Sequence, residues 1–190
     1  MRFPKAAILS FLLAGLAFFV GPSQAQTPGR AAAPAPAKAK AATSTTKVQA
    51  NLGQLMKGIL FPNSNVIFAA QDENPANVAP AKDPALATNP LASTYGKWEA
   101  VENSGLAIAE AANLLLIPGR KCANGLNVPI GNADWAKLVQ GLRDAGMKSF
   151  KAAQSKNQDN ILDAADAMTT ACANCHDKYR EKPTLADRCK

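Results

Sequence analysis

The chain has 190 residues, a length that fits one ordinary domain with an extra terminal segment and argues against two large domains. Abundant Ala and only 6% aromatic residues favour helices and argue against an all-β fold. The net charge of +7 suggests a nucleic-acid or membrane partner. Five of the cations lie in residues 1–46, however, and residues 47–190 carry 16 Lys and Arg against 14 Asp and Glu, a net charge of +2. This distribution argues against nucleic-acid binding.

Residues 1–25 have the pattern of a secretory signal peptide. Two basic residues precede an apolar run from Ala6 to Val20, and the small-residue sequence Ser23-Gln24-Ala25 follows it. A run of about 15 apolar residues is too short for a bilayer, which needs roughly 20, so a transmembrane anchor is the less favoured alternative. We expect cleavage after Ala25, export to the periplasm and no transmembrane segment in the mature chain.

Residues 26–46 (QTPGRAAAPAPAKAKAATSTT) are predicted to form a disordered linker. The segment is rich in Ala and Pro and has no large apolar side chain to bury, so it cannot offset the entropy cost of folding. The folded domain is therefore expected to span residues 47–190.

Four amphipathic helices and no strand are predicted in this domain. The first begins near Val48 and is expected to kink or break at residues 61–65, because Pro62 lacks an amide hydrogen. A loop dense in Pro, Asn and Asp follows over residues 71–90. The later helices are predicted at residues 92–117, 133–156 and 158–181, with a second loop at residues 120–132. This pattern predicts an all-α fold, an antiparallel up-down-up-down four-helix bundle.

The last predicted helix carries Cys172-Ala173-Asn174-Cys175-His176, a C-x-x-C-H sequence typical of c-type haem attachment. Thiols three residues apart lie on one helical face, where both can form thioethers with one haem c, and His176 follows as an iron ligand. His176 is the only histidine, which leaves none for a zinc finger or a bis-histidine haem. A redox dithiol would need a βαβ context, and a structural zinc site would need a second ligand pair at metal spacing. The sequence has neither. One covalently attached haem c is therefore predicted.

The leader, the four helices and the sequence CANCHDKYR near the end of the last helix resemble the class II cytochromes c, the family of cytochrome c prime and its low-spin relatives. The resemblance covers roughly residues 47–182. It implies that Cys172 and Cys175 are thioether sites, that His176 is the fifth iron ligand, and that Arg180 lies near the haem propionates. The long loops, the linker and two further cysteines depart from the family pattern.

Met56 is the candidate for the sixth iron ligand. In an antiparallel bundle it lies roughly 15 Å, and His176 roughly 9 Å, from the same end, at 1.5 Å per residue, so the two can lie on opposite haem faces. The alternative is that Met56 is one apolar residue of a core stripe. Trp135, Leu116 and Leu138 are expected near the same end as walls of the haem site.

Two functions fit these residues. The first is a periplasmic electron carrier, not an enzyme, with iron bound by His176 and Met56, that passes single electrons to a redox partner protein. The second is a five-coordinate haem protein that binds nitric oxide or another small gas, as the resemblance to cytochrome c prime implies. A peroxidase-like enzyme is less favoured, because the chain has no second His to act as a distal base.

Basic residues near the motif predict an acidic docking face on the redox partner. Five follow the motif and two lie in the second loop: Lys178, Arg180, Lys182, Arg188, Lys190, Arg120 and Lys121. The alternative is scattered surface charge without function.

Cys122 and Cys189 remain once haem attachment has used the other thiols. An exported protein favours oxidation, and an antiparallel bundle brings the second loop and the chain after the last helix to the same end, so we expect a disulfide between them. The alternatives are two free thiols, or a homodimer linked through Cys189.

Overall fold

Residues 47–190 form packed helices. The structure, a computed structural model, describes these residues, so the predicted signal peptide and linker lie outside the described part. The helical elements are α1 (Leu52–Leu55), a π-helical turn (Met56–Leu60), α2 (Phe61–Asp72), α3 (Lys97–Leu114), α4 (Ala133–Ser155) and α5 (Gln158–Tyr179). No strand occurs in the described range, where an isolated bridge pairs Lys121 with Asn127. The all-α prediction is confirmed for this range.

The predicted break at residues 61–65 is wrong. Helical residues run without interruption from α1 through the π turn into α2, and Pro62 lies in the first turn of α2. The irregularity is the π turn itself, where the Phe61 N–H donates to Met56 O five residues earlier. Asn63 Nδ2 donates to Ile59 O at 2.7 Å, so a side chain satisfies a carbonyl of the turn next to Pro62. Pro62 lies just after this turn, where the regular i to i−4 hydrogen-bond pattern has already changed.

Each long helix packs against its neighbours in the chain. The α3 and α4 pair is the most extensive, α4 packs on α5, and α2 contacts both α3 and α5. Gly105 of α3 and Gly146 of α4 face each other so closely that a Cβ on either would come within 2.8 Å of the opposing backbone. The core between the helices contains the following fully buried side chains: Ile67, Val101, Ile108, Trp135, Ile161 and Met168.

The helix boundaries agree best with the sequence for α4 and α5, which begin at the predicted residues and end within two residues of the predicted ends. Helix α3 is shorter at both ends than the helix predicted at residues 92–117. Pro90–Ala92 forms a separate 3-10 turn capped by Asn89, so α3 begins only at Lys97. At its other end Arg120 Nε donates to Leu114 O at 3.0 Å, which satisfies a terminal carbonyl.

Between residues 47 and 190, every helix is too short or too polar to cross a bilayer.

Candidate functional site

The C-terminal part of α5 presents the C-x-x-C-H motif to a cavity. Cys172, Cys175 and His176 all line this cavity, whereas Ala173 and Asn174 between them are exposed to solvent. Both thiols are half-buried and free, and neither is joined to the other. The helical repeat explains this arrangement, since residues three and four apart share one face.

The cavity has a volume of about 380 Å³, within the range of roughly 300–1,000 Å³ typical of small-molecule sites. Its body is apolar and is formed by residues from every long helix, with Ile108 from α3, Leu138 and Val139 from α4, and Met168 from α5. The cavity therefore lies among the packed helices, beside the C-terminal part of α5.

The two thiols are kept protonated by their surroundings. Burial raises the pKa of Cys172, and burial together with the nearby Cys172 and Asp134 raises the pKa of Cys175 to about 11. At neutral pH both groups are neutral thiols rather than thiolates. In the described residues no cluster of three or more His, Cys, Asp or Glu side chains is placed to hold a metal ion.

His176 is half-buried at the same wall. Burial, followed by the positive charge of Arg180, lowers the pKa of its imidazole. The ring is therefore neutral at pH 7, and a neutral imidazole has the lone pair that iron ligation needs. Neither ring nitrogen hydrogen-bonds to another of the residues described.

Met56 lines the cavity from the opposite part of the chain, as the first residue of the π turn. The turn follows a capping box, in which the Asn51 side chain accepts from the Gln54 N–H and Gln54 Oε1 accepts from the Asn51 N–H. Turns of the π type are rare and frequently occur at functional sites. The predicted ligand pair, Met56 and His176, thus lines one cavity from two separate elements.

A buried arginine fastens the start of α1 next to this cavity. Arg120 is 4% exposed, and besides its bond to α3 its Nη1 donates to Ala50 O. Leu52 N also donates to Lys121 O at 2.8 Å. The interpretation of Arg120 as an exposed docking cation is therefore wrong. Its burial, which lowers the pKa of the guanidinium, accompanies a structural role.

Trp135 lies in the cavity lining and is 1% exposed. Its Nε1 donates to Leu115 O at 3.1 Å, and its ring meets Tyr179 edge-on with centroids 5.0 Å apart. Leu138 also lines the cavity, but Leu116 does not and is 37% exposed. The expectation that Leu116 forms a wall is wrong, because α3 ends before that residue.

The end of α5 is fixed to the start of α4 by a polar cluster. The Tyr179 hydroxyl donates to the Asp134 carboxylate at 3.0 Å and accepts from Asn132 Nδ2 at 3.2 Å. Lys178 Nζ lies 2.5 Å from Asp134 Oδ2. The Lys178 hydrogen bond is the main cause that lowers the pKa of Asp134, and burial is the main cause that raises the pKa of Tyr179. This cluster holds the turn that carries His176.

Three cations belong to the cavity lining, but several of the predicted docking residues are already paired. Arg180 lines the cavity, with its Nε and Nη2 at 2.6 and 2.5 Å from Glu181 Oε1. Lys178 pairs with Asp134, and Lys190 with Asp187. The remaining cations in the lining are Lys57 and Arg188.

The expected disulfide between Cys122 and Cys189 is confirmed, with Cα atoms 6.6 Å apart. Both residues line the cavity, together with Leu185 and Arg188 of the chain after α5. The predicted disulfide places the tail at this end of the domain. Leu185 was not predicted to line the cavity, because the segment has no periodic pattern.

Comparisons of the chain with protein-family models, with curated proteins and with solved structures found no match.

Proposed function

We propose that this protein is an exported c-type haem protein of the class II cytochrome c kind, which carries single electrons. The observation that supports this most is the cavity itself, because the two thiols and the imidazole of the C-x-x-C-H motif line it together with Met56. A bound haem would supply an iron that exchanges one electron at a time.

The residues of the site fit such a group. Cys172 and Cys175 would hold it covalently as thioethers, and their neutral, half-buried thiols are free for that purpose. His176 would provide the neutral nitrogen ligand and Met56 the thioether ligand on the other side. Trp135 and the apolar lining would exclude water from the group. Burial of this kind is one way in which a protein sets the reduction potential of a haem.

The packing of the helices supports the finer fold assignment. The helical run from α1 to α2 contacts α3, α3 contacts α4, α4 contacts α5, and α5 returns to α2. Such a closed ring of neighbours is the arrangement of an up-down-up-down four-helix bundle, and we infer that topology with α5 as the haem-attachment helix.

Export to the periplasm is part of this proposal, through the leader at residues 1–25. The partner is a redox protein that docks where the cavity opens. Lys57 and Arg188 lie in the cavity lining without a carboxylate partner among the described residues, and Phe61, which also belongs to the lining, is 63% exposed. An apolar centre with a cationic rim favours a partner with an acidic face.

The test compares the two cysteine pairs in protein produced with the export leader. Wild-type protein should keep its haem through acid-acetone extraction, and so should the Cys122→Ala/Cys189→Ala control. Cys172→Ala/Cys175→Ala should release whatever haem it binds, because it cannot form thioethers. Extraction of haem from the wild type would refute the proposal.

The absorption spectrum separates the carrier from the gas binder. A low-spin spectrum with a sulfur-to-iron charge-transfer band is expected for ligation by His176 and Met56. A high-spin spectrum would instead support the five-coordinate alternative, in which nitric oxide or another small gas occupies the open side.

A further inference from the structure

The C-terminal tail, residues 183–190, forms one wall of the cavity. Leu185, Arg188 and Cys189 contribute to the lining. The tail is attached at several points: the disulfide joins Cys189 to Cys122, and the Cys189 N–H donates to Tyr179 O at 2.9 Å. Asn124 Nδ2 donates to both Leu185 O and Arg188 O at 2.9 Å. The backbone on either side of the Arg188 side chain is therefore held in place.

Every charged side chain in the cavity lining is positive, and the His176 imidazole there is neutral. Lys57, Arg180 and Arg188 line it, and no Asp or Glu of residues 47–190 does. An apolar cavity with a cationic rim fits an amphipathic ligand that is apolar in its body and carboxylated at its edge. The haem of the proposed function has that character.

The three cations are not equally available to such a carboxylate. Arg180 already directs Nε and Nη2 to Glu181. The Arg188 side chain makes no hydrogen bond or ion pair with the described residues, although it lines the cavity. A guanidinium forms two parallel hydrogen bonds with a carboxylate, which the single ammonium of Lys57 cannot do.

We propose that Arg188, on the tail fastened by Cys122–Cys189, is the residue that binds a propionate of the haem. This inference rests on the proposed function, and it moves the main propionate contact from Arg180 of the motif to the tail. The tethers explain why a residue so close to the chain end can serve, since a side chain on a fixed backbone loses less entropy on binding. Arg188 would then be a binding residue that the disulfide positions.

The test uses the haem-loaded protein and follows the ionisation of the haem propionates by carbon NMR. An opposite charge within hydrogen-bond reach lowers a carboxyl pKa by about one to three units. Arg188→Gln should therefore raise the pKa of one propionate by about one to three units. Arg188→Lys, which keeps a positive charge, should raise it less. Lys182→Gln is the matched control, because Lys182 directly precedes the tail but does not line the cavity.

Cys122→Ala/Cys189→Ala should produce a shift in the same direction, since it releases the tail. The assignment of Arg188 is refuted if the propionate pKa in Arg188→Gln equals that in wild type, or if Lys182→Gln raises it by the same amount. The haem assignment stands in either case. A purified protein without covalent haem would refute both.

Discussion

Cys122 and Cys189 join the loop before α4 to the chain just beyond α5, across 67 residues of sequence. Cys122 is 3% exposed and belongs to the core cluster, so the bridge ties the tail to the interior rather than to another surface loop. A tail whose only regular structure is the 3-10 turn Leu185–Asp187 thereby becomes a fixed wall of the cavity.

Removing this bridge should lower the free energy of unfolding. A cross-link between residues 67 positions apart restricts the unfolded chain, and loop-closure entropy gives up to about 4 kcal/mol for that length. Urea titrations of Cys122→Ala/Cys189→Ala followed by circular dichroism should show this loss. Wild type treated with a phosphine reductant is the control, because thioethers to haem resist reduction and only the disulfide opens. Equal stability of wild type with and without reductant would contradict the prediction.

Met56→Ala should convert a low-spin haem spectrum to a high-spin one and allow carbon monoxide to bind. The reason is that the variant removes the only thioether sulfur that approaches the cavity from the π turn. Met147→Ala is the matched control, since Met147 lies on α4 and does not line the cavity. An unchanged spectrum for Met56→Ala would assign Met56 to the apolar stripe and the sixth position to another group.

Gly146→Ala should destabilise the protein by about 1–3 kcal/mol, the usual cost of overpacking. A Cβ there would meet Ala109 N and Gly105 O at 2.8 Å, and both are backbone atoms that cannot rotate away. Gly141→Ala on the same helix is the control, because nothing lies within 4 Å of its added Cβ. That variant should gain about 0.5–1 kcal/mol from helix propensity. Thermal unfolding of both variants measures the contrast, and equal effects would show that α3 and α4 are not in close contact.

The free energy of unfolding should fall in acid, partly because the Asp134 carboxylate becomes protonated. The Lys178 hydrogen bond, then that of Tyr179, lowers the pKa of its carboxyl below the ordinary 3.8. A depressed folded-state pKa gives stability that is present above the unfolded value and is lost as pH falls through the lower folded value. The stability difference between wild type and Asp134→Asn should therefore shrink below about pH 4.

Urea titrations between pH 6 and 2 measure this difference. Asp163→Asn, which removes an exposed carboxylate of α5, controls for the loss of one surface charge. Stabilities of wild type and Asp134→Asn that differ by the same amount at every pH would show that ionisation of Asp134 does not contribute to stability.

The sequence predicted α4 and α5 well because their boundaries have strong local signals. Asn157 caps α5 with its side chain, and Lys156, at φ 51°, closes α4 in the left-handed conformation. The continuity of the first helix was not predictable from Pro62, because the proline follows a π turn in which the regular hydrogen-bond pattern has already changed. Such a change depends on hydrogen bonds that no periodic pattern records.

The members of the cavity were predictable only where topology brings helix ends together. The motif, Met56 and Trp135 could be placed at one end of a bundle by counting residues along helices. The predicted disulfide brought the tail to the same end, but Leu185 in the wall was not predictable, since its position depends on the bonds that Asn124 donates to Leu185 O and Arg188 O. The ion pairs were not predictable from the sequence either, because Lys178 pairs with Asp134 on another helix, 44 positions earlier in the chain.

Electron transfer to small redox reagents should depend on salt with a sign set by the charge around the cavity mouth. Lys57 and Arg188 lie in the lining without carboxylate partners among residues 47–190, so the local field is positive. The reduced protein should pass its electron to anionic ferricyanide fastest at low ionic strength, with a decrease on the order of tenfold at high salt. Screening over about 10 Å at 0.1 M causes this decrease.

Cationic tris(phenanthroline)cobalt(III) should show the opposite trend. Lys57→Gln should flatten both salt dependences, measured by stopped-flow absorbance. Lys151→Gln should leave them unchanged, because Lys151 lies beside Asn160 near the start of α5, at the other end of that helix from the motif. Rates for ferricyanide that do not change with salt would contradict a cationic docking surface, and equal effects of the two variants would show that net charge rather than the cavity rim controls the rate.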